Sequence, residues 1–142
     1  MVRLIEFTVP TMAGMEFDNI TAKVDELVAG AGVQEGTAFI MSMHTTTGIM
    51  VNEALECLQS DMENLMEKLA PEEGSYSHAR MLHSYGQSAD NAPSHLRAML
   101  TNNYCIFPVH EGKLLRRFAQ DIFLAEYDGP QDRRIIIAVI GE

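Results

Sequence analysis

"IFLAEYDGPQDRRIIIAVI", Ile122 to Ile140, decides the fold class. Two apolar, β-branched runs, Ile122–Tyr127 and Arg134–Ile140, flank "DGPQ" (Asp128–Gln131), whose Asp, Gly and Pro are turn formers. Upstream, the run Tyr104–Val109 ends in "HEGK" (His110–Lys113), a second tight turn. Strands joined by turns this short lie antiparallel. Combined with helices confined to earlier segments, they predict an α+β fold: a largely antiparallel sheet, two main helices and one short helix.

The N-terminal half fits that frame. In "RLIEFTV" (Arg3–Val9), Ile5, Phe7 and Val9 alternate with Glu6 and Thr8, which reads as a half-buried strand with Leu4 out of pattern. Ile20, Val24, Leu27 and Val28 recur at helical spacing, predicting a helix from about Glu16 to Ala29, with Asp18 and Asn19 as caps and Gly30 and Gly32 as its stop. "TAFIMSM" (Thr37–Met43) reads as a strand. Asn52 to Leu69 reads as the clearest helix, with Leu55, Leu58, Met62, Leu65, Met66 and Leu69 along one face and Glu56, Asp61, Glu63 and Glu67 along the other. A polar, irregular stretch spans Glu72 to Asn91, and Pro93 opens a short helix, "PSHLRAML". No repeat or linker divides the 142 residues, so one domain, residues 1–142, is expected.

Composition narrows the function classes. Ten Lys+Arg against twenty Asp+Glu give a formal net charge of −10, which opposes binding to nucleic acid or anionic membranes. No apolar run is long enough for a membrane span and no signal-peptide core follows Met1, so a cytoplasmic location is expected. Cys57 and Cys105, both with apolar neighbours, read as reduced core thiols.

"MHTTTGIM" (Met43–Met50) places His44, three threonines and Gly48 at the end of an apolar run. Four further histidines, His78, His83, His95 and His110, lie in polar or terminal segments. Histidines brought together from distant segments can form a metal site, although no HxH or HExxH spacing occurs here. Glu53 would favour a helix dipole if the main helix begins at Asn52. In "SADNAPSH", Asp90, Asn91, Ser94 and His95 gather where a helix N-terminus offers N–H groups to an anion; capping explains Asp90 or Asn91 but not His95. The pairs Arg116-Arg117 and Arg133-Arg134 read as solvated surface, with phosphate contact the alternative.

Several of these motifs occur together in one order: "MHTTTGIMVNE", "YSH" (Tyr76–His78), "DNAPSHLRAML", "FPVHEGKL", "QDIFLAEYDGPQDRR" and the terminal "IGE". The pattern resembles the YjbQ family, described as secondary thiamine-phosphate synthases, across Thr37 to Glu142. The resemblance implies an α+β homotrimer acting on a small phosphorylated metabolite. It implies a transferase joining a pyrimidine-methyl diphosphate to a thiazole phosphate; the alternative is a non-catalytic trimeric binder of a metal or phosphometabolite. Carried onto this chain, it implicates His95, Glu53 and Asp90 in catalysis and Thr45, Thr46, Asn52, Asn91, Ser94 and Gln120 in substrate binding. It also suggests that His44, His78 and His95 converge on a divalent metal, zinc-like rather than magnesium by ligand type. Two departures stand out. "RRFAQ" (Arg116–Gln120) replaces the Gly-Thr-Trp common before the glutamine, and a longer Arg80–Ser88 segment leaves His78 and His83 as rival third histidines.

Overall fold

The computed structural model describes residues 1–77 and 91–142, and in it every strand pairing is antiparallel. The elements run β1 (Val2–Pro10), β2 (Glu16–Asn19), α1 (Thr21–Ala29), β3 (Glu35–Ser42), β4 (Thr47–Asn52), α2 (Glu56–Leu69), α3 (Ala92–Thr101), β5 (Tyr104–His110), β6 (Lys113–Leu114), β7 (Asp121–Glu126) and β8 (Asp132–Gly141). They form a five-stranded sheet in the order β1-β8-β3-β5-β6 and a three-stranded sheet in the order β2-β7-β4. The α+β class and its antiparallel sheets match the expectation from the two tight turns.

Alternation along the large sheet builds the core. Ile5 and Phe7 of β1, Ile40 of β3, Phe107 of β5 and Ile135, Ile137 and Val139 of β8 share the inner face, packing with Val24 and Val28 of α1 and with Ile49, Ile122 and Leu124 of the small sheet. The small sheet's other side meets α3, where Ala98, Ala125 and Tyr127 form a second apolar cluster with Met15, Phe17 and Met66. The order of layers is therefore large sheet, then α1 and small sheet, then α3. The β4–β7 pair lies in the middle.

Glu16–Asn19, expected to open a helix, is a strand, and the helix expected from Asn52 starts only after a strand that ends there. Glu16–Asn19 pairs with Glu126–Phe123, and α1 starts only at Thr21, where the Asn19 side-chain oxygen accepts the Thr21 N–H at 3.1 Å and its hydroxyl at 2.6 Å. Thr47–Asn52 pairs with Glu126–Asp121, so Asn52 ends a strand and the main helix begins at Glu56. The β-branched Thr47, Ile49 and Val51 suit a pleated surface, and a partner strand satisfies backbone groups that an isolated first helical turn would leave open. Cys105 is buried as expected, but Cys57 is exposed, because no residue of α2 is buried.

The apolar stripe of α2 is largely uncovered, with Leu55, Leu65 and Leu69 exposed. So is the outer face of the large sheet. Leu4 fell out of the inward pattern because it shares that outer face with Val2, Tyr104, Ile106 and Ile140, all exposed, and with the partly covered Phe39 and Met41. A sheet apolar on both faces calls for a second cover.

Asp18, on β2, carries the titration most coupled to folding. Burial, then the hydrogen bond to Glu16 and its charge, then the charge of Glu126, push its carboxyl from 3.8 up to about 7. Glu16 keeps its own charge by accepting the N–H groups of Met12 and Ala13. The folded state therefore binds the Asp18 proton more tightly than the unfolded chain. Stability falls as pH rises from about 4 to about 7, and the penalty is complete above that. Asp18→Asn is expected to flatten this slope and to stabilise the protein at pH 8 by on the order of 1 kcal/mol, reduced from the full linkage value by solvent screening. Thermal melts of both proteins at pH 5 and pH 8 check it; parallel slopes would refute it.

Candidate functional site

His44 lies in the connection between β3 and β4, and its position follows from the sheet. The β3–β8 ladder ends at Ser42 opposite Ile135, and the Met43 N–H then donates to the Arg134 carbonyl at 3.1 Å. At the next step the Arg134 N–H donates to Nε2 of His44 at 2.9 Å. The imidazole thus stands where a strand carbonyl would continue the ladder. Ser42 Oγ accepts the His44 N–H at 3.2 Å and is hydrogen-bonded to the Thr47 hydroxyl, tightening the turn.

α3 brings His95 to the same place. Its approach depends on Gly48: a Cβ there would stand 2.6 Å from the Thr101 Cβ and 2.7 Å from the Asn102 carbonyl oxygen. Without that side chain, the Ile49 N–H reaches the Asn102 carbonyl at 3.0 Å and Ser42 N–H reaches the Asn103 carbonyl at 2.8 Å. Held by these bonds, Asn102 adopts φ 75° and ψ 164°, a region populated almost only by glycine. His44, Thr45 and Thr47, with His95, Ala98, Met99, Asn102 and Asn103, enclose a cleft of about 410 Å³. Asn102 and Asn103 were not anticipated from sequence. The one available signal was the Asn-Asn pair directly after a helix pattern, where Asn tolerates positive φ.

The remaining candidates are distributed elsewhere. Asn91 and Ser94 face a separate cavity of about 290 Å³ with Glu67, Glu72, Arg97 and Asp128. Ser94 donates to the Tyr127 carbonyl at 2.5 Å, and Asn91 donates to Asp128 at 3.1 Å, so both help to dock α3. Asn52, the last residue of β4, and Glu53 after it are exposed, with the Asn52 side chain accepting the Glu53 N–H. Gln120 is exposed and its side chain accepts the Arg117 N–H at 2.9 Å, which shapes the turn before β7. Asp90, His78 and His83 lie outside the described residues.

Thr46 belongs to a buried ion-pair network rather than to the cleft. Arg133, 2% exposed, donates to both carboxylate oxygens of the fully buried Glu126, at 2.8 and 2.6 Å, and to the Thr46 hydroxyl at 2.8 Å. Thr11 and the N–H groups of Tyr127 and Asp128 supply the remaining donors to Glu126. Arg133 is therefore not a surface cation. It joins the large sheet to the small one, directly behind Arg134 and His44.

Burial, then the charges of Arg133 and Arg134 against that of Glu126, hold the His44 imidazole below its ordinary pKa. The ring is neutral at neutral pH. Its Nε2 lone pair is taken by the Arg134 N–H, so the ring proton resides on Nδ1. A ligand meeting Nδ1 encounters a donor, not a lone pair, and this arrangement does not suit a metal ligand. Among the described residues, no three His, Cys, Asp or Glu side chains are grouped to hold a metal ion.

Comparison with known proteins agrees with this geometry in fold. The model of the family described as "UPF0047 protein YjbQ-like" matches residues 5–142. A UPF0047 protein of Methanothermobacter thermautotrophicus is 34% identical over 137 residues, covering 96% of this chain and 91% of the relative. One from Archaeoglobus fulgidus is 34% identical over 136 residues, covering 96% and 100%. The crystal structure of a YbjQ-like protein of unknown function from Sulfolobus solfataricus superposes with a TM-score of 0.91 at 32% identity, covering 100% of this chain and 99% of that one. An uncharacterised member from Clostridium acetobutylicum gives 0.85 at 31% identity, covering 96% and 99%. With its sheets, its β3–β4 histidine turn and its docked α3 in place from end to end, this chain belongs to the YjbQ-like UPF0047 family.

Proposed function

We propose that the cleft between the His44 turn and α3 binds a small phosphorylated metabolite and serves a transferase of the thiamine-phosphate-synthase type. The observation that carries this reading is the meeting of His44 and Thr45 with His95, Asn102 and Asn103, from two segments far apart in the chain, in one concave site of about 410 Å³. That size and mixed lining suit a small ligand. Joining a pyrimidine-methyl diphosphate to a thiazole phosphate forms a carbon–nitrogen bond and expels pyrophosphate. The demand is for groups that take up charge on the leaving diphosphate, more than for a strong base. Hydrogen-bond donors around the cleft fit that demand. The second reading is a protein that binds the metabolite without turning it over.

Growth of a host lacking thiamine-phosphate synthase separates the two. Rescue by the wild-type gene and loss of rescue with His95→Ala, at equal protein levels, is the expected result for an enzyme. Equal rescue by both would remove His95 from the site. No rescue by either, with phosphometabolite binding retained, would leave the binder.

The resemblance to the family suggests a homotrimer, and the uncovered apolar faces support self-association. A second copy on the outer face of the large sheet would cover Leu4 and Ile106, which are 72% and 49% exposed in the single chain. Leu4→Asp with Ile106→Asp changes no buried side chain of the chain itself. It is expected to convert a trimer into a folded monomer in sedimentation equilibrium. An unchanged mass would place the contact elsewhere.

A further inference from the structure

The cleft is biased toward donors. None of its described lining residues is an Asp or Glu, although the chain carries a formal charge of −10. The Asn102 side-chain oxygen already accepts the Asn103 N–H at 2.8 Å, which leaves the amide its N–H2 group and one oxygen lone pair for a ligand. Thr45 adds a hydroxyl at the exposed rim. His44 contributes most, because a backbone N–H can only donate and the Arg134 N–H therefore commits Nε2 to accepting. Asn102 is held in a conformation that costs about 1–3 kcal/mol for a non-glycine residue. Glycine there would avoid that strain; Asn102 instead places a side-chain amide at the wall of the cleft.

We propose that the cleft binds a phosphoryl or diphosphate oxygen directly on the Nδ1–H of His44, in a tautomer locked by the Arg134 backbone, with Asn102 as a second donor and no bridging metal. This rests on the reading that the cleft is the substrate site. It goes beyond that reading by assigning the atom that meets the phosphoryl oxygen and the direction of the hydrogen bond. His44 is then a fixed electrophile rather than a metal ligand or a general base.

The test uses the full-length protein, pyrophosphate as the probe, and nitrogen-15 NMR of the histidine rings with calorimetry. Free protein is expected to show His44 protonated on Nδ1. Pyrophosphate is expected to shift the Nδ1 signal, with affinity unchanged within about twofold by added chelator. His44→Asn, whose amide nitrogen falls near the Nδ1 position, should bind within about fivefold of wild type. His44→Gln, which provides its polar atoms near Nε2, should bind about tenfold or more weakly, the loss of one hydrogen bond to a charged group. Backbone spectra of both variants verify the fold.

Two failures are distinguishable. If pyrophosphate perturbs neither His44 nor His95, the cleft is not the substrate site and both readings fall. If it perturbs both only when zinc or magnesium is present, or if His44 is protonated on Nε2, the site stands and direct donation is overturned. Equal losses in the two variants also overturn it.

Discussion

Glu126→Ala is expected to destabilise the protein by about 3–5 kcal/mol, because it leaves the Arg133 guanidinium buried without its counter-ion. Against the roughly 5–15 kcal/mol that holds a typical domain folded, that is a large fraction. The melting temperature should fall by roughly 10 °C or more. The loss has several parts. Arg133 loses both carboxylate bonds, and the Asp128 N–H loses its acceptor, while the Thr11 hydroxyl keeps the Gln131 carbonyl and the Tyr127 N–H keeps the Thr46 carbonyl. The bond between the two sheets goes with them.

The double variant Glu126→Leu with Arg133→Met separates charge from packing. Replacing both partners removes the unpaired charge, so it should recover much of the stability lost in Glu126→Ala. Recovery should be incomplete, since the Thr46 and Thr11 hydroxyls still lose partners. Denaturant unfolding of the three proteins measures this. A single variant costing less than about 1 kcal/mol would show that the pair does not hold the sheets together. Ligand binding should weaken even where the fold survives, because Arg134, which orients His44, follows Arg133 on the same strand.

Gly48→Ala is the second large effect. The new Cβ meets the Thr101 Cβ and Cγ2 at 2.6 Å and the Asn102 carbonyl at 2.7 Å, so α3 must move away from β4. Overpacking of this kind costs about 1–3 kcal/mol. The displacement acts where it matters for the cleft, breaking the Ile49 N–H bond to Asn102 and shifting Asn102 and His95 from His44. Thr101→Ala should not rescue it, because the Thr101 Cβ and the Asn102 backbone oxygen both remain. Thermal melts and pyrophosphate titration read the two consequences together. A variant with wild-type stability and binding would mean that the helix end tolerates the shift, and the role given to Gly48 would fail.

Much of the architecture was legible from local pattern. The alternation in β1 and β8, the turns at "HEGK" and "DGPQ", and the helical spacing from Ile20 to Val28 each depend on residues close in sequence. Such signals survive because side-chain period and turn chemistry are properties of the segment itself. His44 and His95, expected to converge from motif order rather than from spacing, line one cleft, while His78 lies outside the described residues.

Where local and distant interactions competed, tertiary structure decided. The main helix was expected from Asn52, but β7 pairs with Thr47–Asn52 and holds Asn52 in a strand. Glu16–Asn19 became a strand for the same reason, against the other edge of β7. Arg133 read as one of two adjacent surface cations; only the arrival of Glu126 from the neighbouring sheet makes its burial tolerable. Asn91 and Ser94 looked like companions of His95, yet helical rotation turns them to a different cavity. The sequence by itself determined the periods, the turns and the membership of the motifs. The tautomer of His44, the strain at Asn102 and the partner of Arg133 arise only when strands far apart in the chain meet, because each is set by a hydrogen bond that no local segment contains.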